Sequence, residues 1–496
     1  MKNAIQIHEK DNTAVALTDL KKGETVVAGG IQILLKEDIG RGHKLALADI
    51  EEGENVIKYG YPIGQARQKI SCGSWIHSHN LKTNLDISSE NYTYKKRIEN
   101  GSFPDRQFTF KGYRRFDGSV GIRNEIWIIP TVGCVNEIGE QIIRKFCEQV
   151  KEIHADSLKV LKHNYGCSQL GDDLSNTRRI LADFARHPNA GGVLILSLGC
   201  ENNTLPEFVE EMGSYDKSCV RFLKCQSAGD EIEEGARLLA ELNDRMRQDK
   251  RETCSLTELK VGMKCGGSDG LSGITANPLI GAYSDFLTGQ GGTSVLTEVP
   301  EMFGAETILM NRARDESVFH SIVSLIQNFK HYFTENHQPV YENPSPGNKE
   351  GGITTLEEKS LGCVQKAGSA VIEDVLDYGR QIQKKGLNLL CAPGNDLVSC
   401  SALAAAGCQI ILFSTGRGTP FGTMVPTVKI STNTQLYEAK PSWIDFDAGK
   451  LVAGADKIEL LEELIQFTID TANGTAVRNE SNHFSEIAIW KNGVTL

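Results

Sequence analysis

The residues most able to carry chemistry near neutral pH are two histidines in the stretch Trp75-Ile76-His77-Ser78-His79-Asn80. Side chains two positions apart lie on one face of a β-strand, so both imidazoles can reach one metal ion, and imidazole also transfers protons. The pattern predicts His77 and His79 as metal ligands, with Asn80 beside them as a substrate contact. The alternative is a hydrogen-bonded or solvent-exposed pair that closes a strand.

A second group of candidates consists of cysteines that directly follow glycine at the end of an apolar run, namely Cys134, Cys167 and Cys200. Cys265 and Cys363 also adjoin glycines. In a parallel sheet the first three gather at the carboxyl edge, where open α/β folds bind ligands. We expect a thiol-lined pocket with Cys134, Cys167, Cys200 and Cys265 as further metal ligands, since thiolates favour iron and zinc. The alternative is buried thiols that pack as small apolar residues.

The sequence contains no Cys-x-x-Cys, which speaks against a zinc ribbon and against a ferredoxin-type cluster.

Two glycine-rich loops can bind an oxyanion or a polyol. Gly266 to Gly273 contains Ser268 and Asp269 but lacks the Gly-Lys-Ser/Thr ending of a nucleoside-triphosphate loop. Ser414 to Gly422 holds Arg417 between glycines, where it can form a bidentate pair with a carboxylate, with Thr415 and Thr419 on either side. A surface salt bridge is the alternative for Arg417.

Other polar residues stand beside these segments. His163 is the candidate acid or base, and Lys264, just before Cys265, is a further catalytic candidate. Asn202, Asn203 and Arg123 are expected to bind substrate hydroxyls or an anion. His163, Asn202 and Asn203 can instead stabilise a loop or cap a helix, and Arg123 can instead stabilise a loop. The run Glu357-Glu358-Lys359 is interpreted as a solvated helix face.

The order of predicted elements indicates an α/β protein with a small β module in front. Short apolar runs separated by turns fill residues 1–92, and a polar segment at 93–110 reads as a linker. Alternating strand and helix patterns follow, which predicts mostly parallel, doubly wound sheets. A charged stretch near residue 250 divides this region into α/β domains at 111–250 and 251–496.

The amino-acid composition and net charge of the chain argue against several classes of protein. The chain has 496 residues, 40% of them hydrophobic, and a net charge of -11, which argues against nucleic acid or an anionic membrane as partner. No run of about 18 apolar residues occurs, and the N-terminus lacks the apolar core of a signal peptide. The 13 cysteines fit free thiols in a reducing compartment. We therefore expect a cytoplasmic protein. The sequence does not determine whether the protein forms a homo-oligomer.

Four motifs together resemble those of the altronate and galactarate dehydratase family. They are His77-Ser-His-Asn80, Gly112-Tyr-Arg-Arg-Phe-Asp-Gly-Ser-Val-Gly-Ile-Arg-Asn124, Lys264-Cys-Gly-Gly-Ser-Asp-Gly270 and Ser414-Thr-Gly-Arg-Gly-Thr-Pro-Phe-Gly422. The resemblance spans nearly the whole chain. It implies an N-terminal SAF-type β domain joined to a large dehydratase region.

The resemblance also implies an iron-dependent lyase of hexuronate catabolism, with Fe²⁺ or Mn²⁺ as cofactor and no nucleotide. Such an enzyme removes water from a sugar acid, with D-altronate giving 2-dehydro-3-deoxy-D-gluconate. Galactarate or another sugar acid is an alternative substrate. A non-catalytic sugar-acid sensor is the alternative from another class. A dinucleotide-dependent oxidoreductase is disfavoured, because no Gly-x-Gly-x-x-Gly follows the first strand of the large region.

Overall fold

The computed structural model describes residues 3–85, 92–96 and 107–496. The first part of the chain forms small antiparallel sheets from nine short strands. These are β1 (Ala4–Ile5), β2 (Thr13–Ala16), β3 (Thr25–Ala28), β4 (Ile31–Leu34), β5 (Lys44–Ala46), β6 (Asn55–Lys58), β7 (Tyr61–Ala66), β8 (Trp75–Ile76) and β9 (Leu81–Lys82). They pair in the orders β1-β2-β5-β8, β3-β4 and β6-β7-β9. The predicted small β domain is therefore confirmed, and we call it the small domain.

The segment predicted to be a linker is described only at 92–96 and from 107 onward. In the first piece the Tyr92 hydroxyl donates to Glu306 at 2.7 Å, and the Tyr94 hydroxyl donates to the carbonyl of Ala313 at 2.6 Å. The polar runs at 88–91 and the residues at 97–106 lie outside the described part. The domain limits themselves stay a prediction.

The middle of the chain contains a four-stranded parallel sheet, which we call the second-domain sheet. Its strands are β12 (Glu125–Pro130), β13 (Leu158–Val160), β14 (Ala190–Ser197) and β15 (Val220–Lys224), in the order β13-β12-β14-β15. Helices α1 (Asn136–Gln149), α2 (Gly171–Ala185), α3 (Leu205–Met212) and α4 (Glu231–Met246) connect or follow them. Strands β10 (Thr109–Arg114), β11 (Val120–Gly121) and β16 (Glu252–Ser255) form a separate antiparallel sheet.

The last part of the chain is built on a seven-stranded parallel sheet, which we call the third-domain sheet. Its strands are β17 (Lys260–Cys265), β18 (Thr293–Leu296), β19 (Ile372–Leu376), β20 (Gly386–Leu390), β21 (Ile410–Thr415), β22 (Thr427–Ser431) and β23 (Phe446–Asp447). The order is β19-β20-β18-β17-β21-β22-β23, with all pairs parallel. The predicted mixed α/β class with a large parallel region is confirmed.

Nine helices accompany the third-domain sheet in the described residues. They are α5 (Ala276–Gly289), α6 (Glu306–Met310), α7 (Glu316–Glu335), α8 (Pro346–Glu350), α9 (Leu356–Cys363), α10 (Asp396–Ala405), α11 (Thr434–Ala439), α12 (Lys457–Ala472) and α13 (Arg478–Ser481). Among the described residues no helix combines the length and apolarity needed to span a bilayer.

The two large sheets share one hydrophobic core, which fixes their relative orientation. Buried residues of both regions, such as Trp127 on β12 and Phe413 on β21, belong to the same cluster. Helices α2 and α10 pack against each other, and just beyond their C-terminal ends His187 Nε2 donates to the carbonyl of Cys408 at 3.1 Å. Both helices follow a strand of their own sheet, and this hydrogen bond joins the two regions near the C-terminal ends of the helices.

Candidate active site

The third-domain sheet has a topological switch point between β17 and β21, where the chain order reverses. Ligands of open α/β sheets bind outside the carboxyl ends of strands at such a point. Here the loops after the two strands are joined backbone to backbone: Gly266 N donates to Ser414 O at 3.0 Å, and the amides of Gly416 and Arg417 donate to Gly267 O at 3.0 and 2.9 Å. The two glycine-rich loops singled out from the sequence therefore form one surface.

A buried ion pair network lies directly beneath this surface. The Lys264 ammonium is fully buried and lies 2.6 Å from Glu298 Oε1 and 2.6 Å from Asp396 Oδ1. Although burial opposes its charge, the attraction of Glu298 and Asp396 raises the pKa of Lys264 well above its ordinary value. A lysine whose pKa is raised in this way is a poor proton acceptor. The predicted catalytic Lys264 is thus placed to orient its neighbours.

Asp396 is the member of this network that reaches the surface, with 31% of its side chain exposed. It begins α10, immediately after the cap residue Asn395, whose side chain accepts from the amides of Leu397 and Val398. A Cβ atom on Gly266 would lie 2.8 Å from both carboxylate oxygens, so glycine is required there for Asp396 to keep its position. A carboxylate held in this way is suited to proton transfer.

Glu298 supports the network from a strained backbone. Its φ is 69°, in the left-handed region that a residue with a Cβ atom seldom adopts. Such a conformation costs about 1–3 kcal/mol and is typical of functional sites. The strain places both Glu298 oxygens below the switch point, where they bind Lys264 and the amide of Cys265 at 2.6 and 2.9 Å.

Cys265, Glu301 and Cys363 form a group whose ligand atoms all lie within 4.8 Å of one another, a spacing compatible with a metal ion. However, Lys366 Nζ lies 2.8 Å from Cys265 Sγ and 3.7 Å from Glu301 Oε2, and Lys359 Nζ lies 2.8 Å from Glu301 Oε1. All three candidate ligands are buried. The group is therefore enclosed by protein, and two of its members are already paired with ammonium groups.

The predicted anion contact Arg417 lies at the surface of the switch point. Its side chain is 48% exposed, and its Nη2 donates to Glu350 Oε2 at 2.8 Å. A half-exposed ion pair of this kind contributes little to stability, so the guanidinium can exchange partners readily. Thr415 accepts from the amide of Gly418 and Thr419 from that of Phe421, so both hydroxyls shape the same loop.

Asp269 is held inside the glycine-rich loop, with Ser268 buried beside it. The Thr432 hydroxyl lies 2.9 Å from each Asp269 carboxylate oxygen, and the Ser272 hydroxyl donates to Oδ1 at 3.0 Å. Burial raises the pKa of Asp269 despite these hydrogen bonds. Asp269 therefore fixes the loop shape from within, and the carbonyl of Ser268 accepts from Asn348.

The small domain docks next to this surface by close backbone contact. A Cβ atom on Gly270 would lie 1.9 Å from Gly42 O, and one on Gly352 would lie 2.4 Å from the same oxygen. Lys44 and Lys58 of the small domain each bind Glu358 at 2.8 Å, and all three side chains are at most 1% exposed. The attraction of the two lysines holds the pKa of Glu358 well below its usual range, although burial alone would raise it.

The interpretation of Glu357-Glu358-Lys359 as a solvated helix face is wrong. These residues belong to α9 and are buried, with exposed fractions of 4%, 2% and 8%. Their partners come from other parts of the chain. Glu357 accepts from Thr83 and from the amide of Asn84, and Lys359 binds Glu301.

His77 and His79 lie in a bend and turn after β8, so the expected strand geometry is wrong. Asn80 closes this turn, because its Oδ1 accepts from the amide of His77 at 2.9 Å. His77 Nε2 donates to the carbonyl of Lys349 at 3.0 Å, and its Nδ1 lies 3.0 Å from the Ser78 hydroxyl. Burial lowers the pKa of His77. Its ring nitrogens thus both have partners within the chain, whereas His79 is exposed and packs on Trp75.

His43 was not among the sequence candidates, although it belongs to the same surface. Its ring centroid lies 5.4 Å from that of His77, its Nδ1 accepts from Trp75 Nε1, and its Nε2 donates to the carbonyl of Glu350 at 3.1 Å. Glu350 is also the partner of Arg417. The small domain therefore brings an imidazole cluster to the segment that carries Glu350, beside the switch point.

The cysteines predicted at the second-domain sheet do lie at its carboxyl edge. Cys134 follows β12, Cys167 follows β13 and Cys200 follows β14, and all three are exposed. Cys265 lies apart from them, buried at the end of β17. The edge of the second-domain sheet thus carries three exposed thiols.

The remaining predicted residues mostly hold loops. His163 is buried, with its Nε2 donating to Pro130 O and its Nδ1 accepting from Tyr165 N, and burial lowers its pKa. Arg123 is buried in a bidentate pair with Glu480. These contacts favour structural roles for both residues.

Two asparagines lie beside the cysteines. The Asn203 side chain bridges Thr131 O and Arg178, while the exposed Asn202 accepts from the amide of Ser168. Asn202 therefore remains accessible to a ligand at this edge.

The sequence did not lead us to predict Asp396, Glu298 or Glu301 as site residues, because none of them belongs to a recognisable motif. Glu298 and Glu301 follow β18, and Asp396 follows β20. The available signal was positional: each is an acidic residue just beyond the carboxyl end of a parallel strand, the place where open α/β sheets bind ligands.

Three family profiles together match nearly the whole chain. "Altronate/galactarate dehydratase SAF domain" matches residues 2–84, "D-galactarate dehydratase/Altronate hydrolase, second domain" matches 112–247, and "D-galactarate/Altronate dehydratase, C-terminal" matches 256–495. The small domain and the two sheet-bearing regions fall in these three segments. The chain belongs to the altronate/galactarate dehydratase family.

Sequence identity to named members of the family differs between altronate and galactarate dehydratases. The chain is 58% identical to an altronate dehydratase of Bacillus subtilis (strain 168) over 100% of both chains. It is 54% identical to an altronate dehydratase of Escherichia coli (strain K12) over 99% of both. A galactarate dehydratase (L-threo-forming) of Escherichia coli (strain K12) is 33% identical over 95% of this chain and 92% of its own length.

Proposed function

We propose that this chain is an altronate dehydratase, a hydro-lyase that converts D-altronate to 2-dehydro-3-deoxy-D-gluconate and water. The observation that carries the proposal is the identity of 58% and 54% to two altronate dehydratases over essentially full length. Identity to the galactarate dehydratase is 33%, which makes galactarate the weaker candidate substrate.

The switch-point surface supplies the groups that this reaction needs. The hydrogen on C2 is acidic because the neighbouring carboxylate can delocalise the charge left behind. Arg417 is proposed to bind that carboxylate, since a guanidinium matches its two oxygens. Asn202 and the hydroxyl of Thr419 are proposed to bind the polyol chain.

Asp396 is proposed as the group that moves the proton. Its carboxylate takes the hydrogen from C2 and passes that proton to the departing C3 hydroxyl, which leaves as water. The remaining enol then tautomerises to the 2-keto acid. Lys264 and Glu298 hold Asp396 in place without exchanging protons themselves. Asp396 ends the cycle as it began, so the step needs no further acid.

The proposed cofactor is ferrous iron, with manganese as the alternative that the family resemblance allows. Cys134, Cys167 and Cys200 match iron in donor type and are exposed, whereas Cys265, Glu301 and Cys363 form the one described group whose ligand atoms lie within 4.8 Å of one another, and that group is buried and paired with lysines. When bound, iron would act as a Lewis acid toward the oxygens of the substrate. Metal roles for His77 and His79 stay a prediction.

The proposed location is the cytoplasm. All 13 cysteines are unpaired, as expected for a reducing compartment.

The test is anaerobic turnover with iron supplied, with altronate and galactarate compared at equal concentration and the release of 2-keto acid followed. We expect altronate to be the better substrate. Turnover of galactarate alone would overturn the substrate assignment. Binding of altronate without any keto acid would indicate a sugar-acid sensor.

A further inference from the structure

Cys265 and Cys363 are buried thiols that lie against each other beneath the switch point. Their sulfur atoms are 3.4 Å apart, and the two residues are 1% and 3% exposed. Cys265 is the last residue of β17, next to the switch-point loops, and Cys363 is the last residue of α9. The contact therefore joins two elements whose cysteines are 98 positions apart in the chain.

Apolar packing accounts for other buried thiols of the chain but not for this pair. Cys400 and Cys408 are fully buried and belong to the apolar cluster that the two large sheets share. In the described part of the chain, Cys265 and Cys363 belong to none of the apolar clusters. The usual role of a buried free cysteine, which is to fill space as a small apolar residue, therefore does not explain them.

Charged groups surround Cys265 in place of apolar ones. Lys366 Nζ lies 2.8 Å from Cys265 Sγ, and the Cys265 thiol donates to Glu301 Oε2 at 2.9 Å. An ammonium group next to a sulfur atom stabilises the negative charge that develops when the thiol gives up its proton. Cys265 is therefore the sulfur suited to attack an oxidant, and Cys363 is close enough to react with the product.

We propose that Cys265 and Cys363 form a reversible disulfide when the protein meets hydrogen peroxide, and that this bond inactivates the site. Hydrogen peroxide is close to water in size, so it suits thiols that are enclosed in this way. To form the bond, the sulfur atoms must approach from 3.4 Å to about 2.05 Å, a shift that rotation of the two side chains can supply.

The reaction takes two steps and consumes one molecule of peroxide. In the first step Cys265 Sγ attacks one peroxide oxygen, the O–O bond breaks, and the other oxygen leaves as water with the thiol proton, which gives a sulfenic acid. In the second step Cys363 Sγ attacks the sulfur of Cys265, the S–O bond breaks, and the hydroxyl leaves as water with the Cys363 proton. The two sulfurs together lose two electrons, which the peroxide oxygens gain.

The backbone of Cys265 connects the disulfide to the proposed proton-transfer group. Its amide donates to Glu298 Oε2 at 2.9 Å, and its carbonyl accepts from Lys264 Nζ at 3.0 Å. Lys264 in turn binds Asp396 at 2.6 Å, so a displacement of Cys265 changes the position of that carboxylate. The loss of activity rests on the proposed function, whereas formation of the disulfide does not.

The first test maps the disulfide in the full chain. The protein is treated with a chelator to remove metal, exposed to hydrogen peroxide, alkylated in denaturant and digested without reduction. Mass spectrometry should find the peptides of Cys265 and Cys363 cross-linked after peroxide treatment, but not before it and not after dithiothreitol. Absence of this cross-link in the peroxide-treated protein would overturn the proposal.

The second test measures reversible inactivation. Unaltered protein, Cys363→Ser and Cys408→Ser are treated with peroxide, freed of it, loaded anaerobically with ferrous iron and assayed with altronate before and after dithiothreitol. We expect dithiothreitol to restore most of the lost turnover in the unaltered protein and in Cys408→Ser, the control for a buried thiol outside the pair.

Cys363→Ser should recover little of its own lost turnover. A sulfenic acid at Cys265 without a partner thiol is oxidised further to the sulfinic acid, which dithiothreitol does not reduce. Cys363→Ala replaces this variant if the serine protein does not fold. Full recovery in the Cys363 variant would show that another thiol is responsible and would overturn the proposal.

The two measurements separate this proposal from the proposed function. A cross-link in protein that never dehydrates altronate, oxidised or reduced, defeats the proposed function and leaves the disulfide standing. Equal turnover with and without the cross-link defeats the inactivation and leaves the proposed function standing.

Discussion

The ammonium nitrogen of Lys264 lies 2.6 Å from a carboxylate oxygen of Asp396, and the lysine is fully buried while 31% of the Asp396 side chain is exposed. Lys264 also binds the buried Glu298 at 2.6 Å. The pair therefore connects a strained, buried carboxylate to a carboxylate that opens on the carboxyl edge of the sheet. The ion pair with Lys264 therefore holds the Asp396 carboxylate, which is the proton-transfer group of the proposed reaction, in its position.

Asp396→Asn tests that assignment. The amide keeps the shape and a polar contact to Lys264 but cannot take the C2 proton, so kcat for altronate should fall by about a hundredfold or more. The matched control is Asp374→Asn, because Asp374 is also part-exposed and pairs with a lysine, Lys384, at 3.3 Å. A correctly folded Asp396→Asn protein with nearly normal kcat would refute the role.

Arg417→Ala tests the carboxylate contact. Loss of a charge-assisted hydrogen bond costs about 1.5–3 kcal/mol, so the KM for altronate should rise roughly ten- to a hundredfold. Arg417→Lys should recover only part of this effect, because an ammonium lacks the fork geometry. Arg314→Ala is the control, since Arg314 is 46% exposed and likewise paired with acidic residues. Equal KM values in both alanine variants would contradict the proposed contact.

Gly270→Ala tests how closely the small domain must approach. The added Cβ atom would lie 1.9 Å from Gly42 O, so the two backbones must separate. We expect a loss of about 1–3 kcal/mol in the free energy of unfolding by urea and faster proteolysis of the small domain. Gly347→Ala, in α8, is the control because its Cβ atom meets nothing within 4 Å. Similar stability of the two variants would show that the interface tolerates separation.

The interface between the second and third domains should weaken in mild acid. Burial lowers the pKa of His187 from 6.5 to about 3. Below about pH 6.5 the His187 side chain therefore binds a proton in the unfolded chain but not in the folded chain. As a result, the free energy of unfolding should fall by about 2 kcal/mol between pH 7 and pH 5.

His187→Gln, which keeps a donor for the carbonyl of Cys408 but does not titrate, should remove that part of the pH dependence. His331→Gln is the control, because His331 is 70% exposed. Urea unfolding at the two pH values gives both comparisons. An unchanged pH dependence in His187→Gln would rule out this residue as its source.

Local sequence signals predicted the parts of the structure that depend on local order. Alternating strand and helix patterns located the parallel sheets, and the Gly-Cys pairs marked strand ends such as that before Cys134. Glycines around Arg417 marked the switch-point loops. These signals work because strand ends and tight turns are determined by neighbouring residues.

Contacts between distant segments were not predictable in the same way. Glu358 pairs with Lys58 and Lys44, which lie 300 and 314 positions earlier in the chain, so a charged helix run was mistaken for a solvated face. The His77 turn is set by Asn80 and by docking against Lys349. Asp396 stands in no motif, and its meaning appears only when β20 and β17 are brought into one sheet.

The buried ion pairs of Lys44 and Lys58 with Glu358 also determine when the small domain can dock during synthesis of the chain. The small domain leaves the ribosome long before its counter-ion exists, because Glu358 follows Lys58 by 300 residues. At about 5–20 residues per second, the two lysines must stay hydrated for roughly 15–60 s before they can be buried. The small domain therefore cannot bury these two lysines in its final interface until the segment that contains Glu358 has been synthesised.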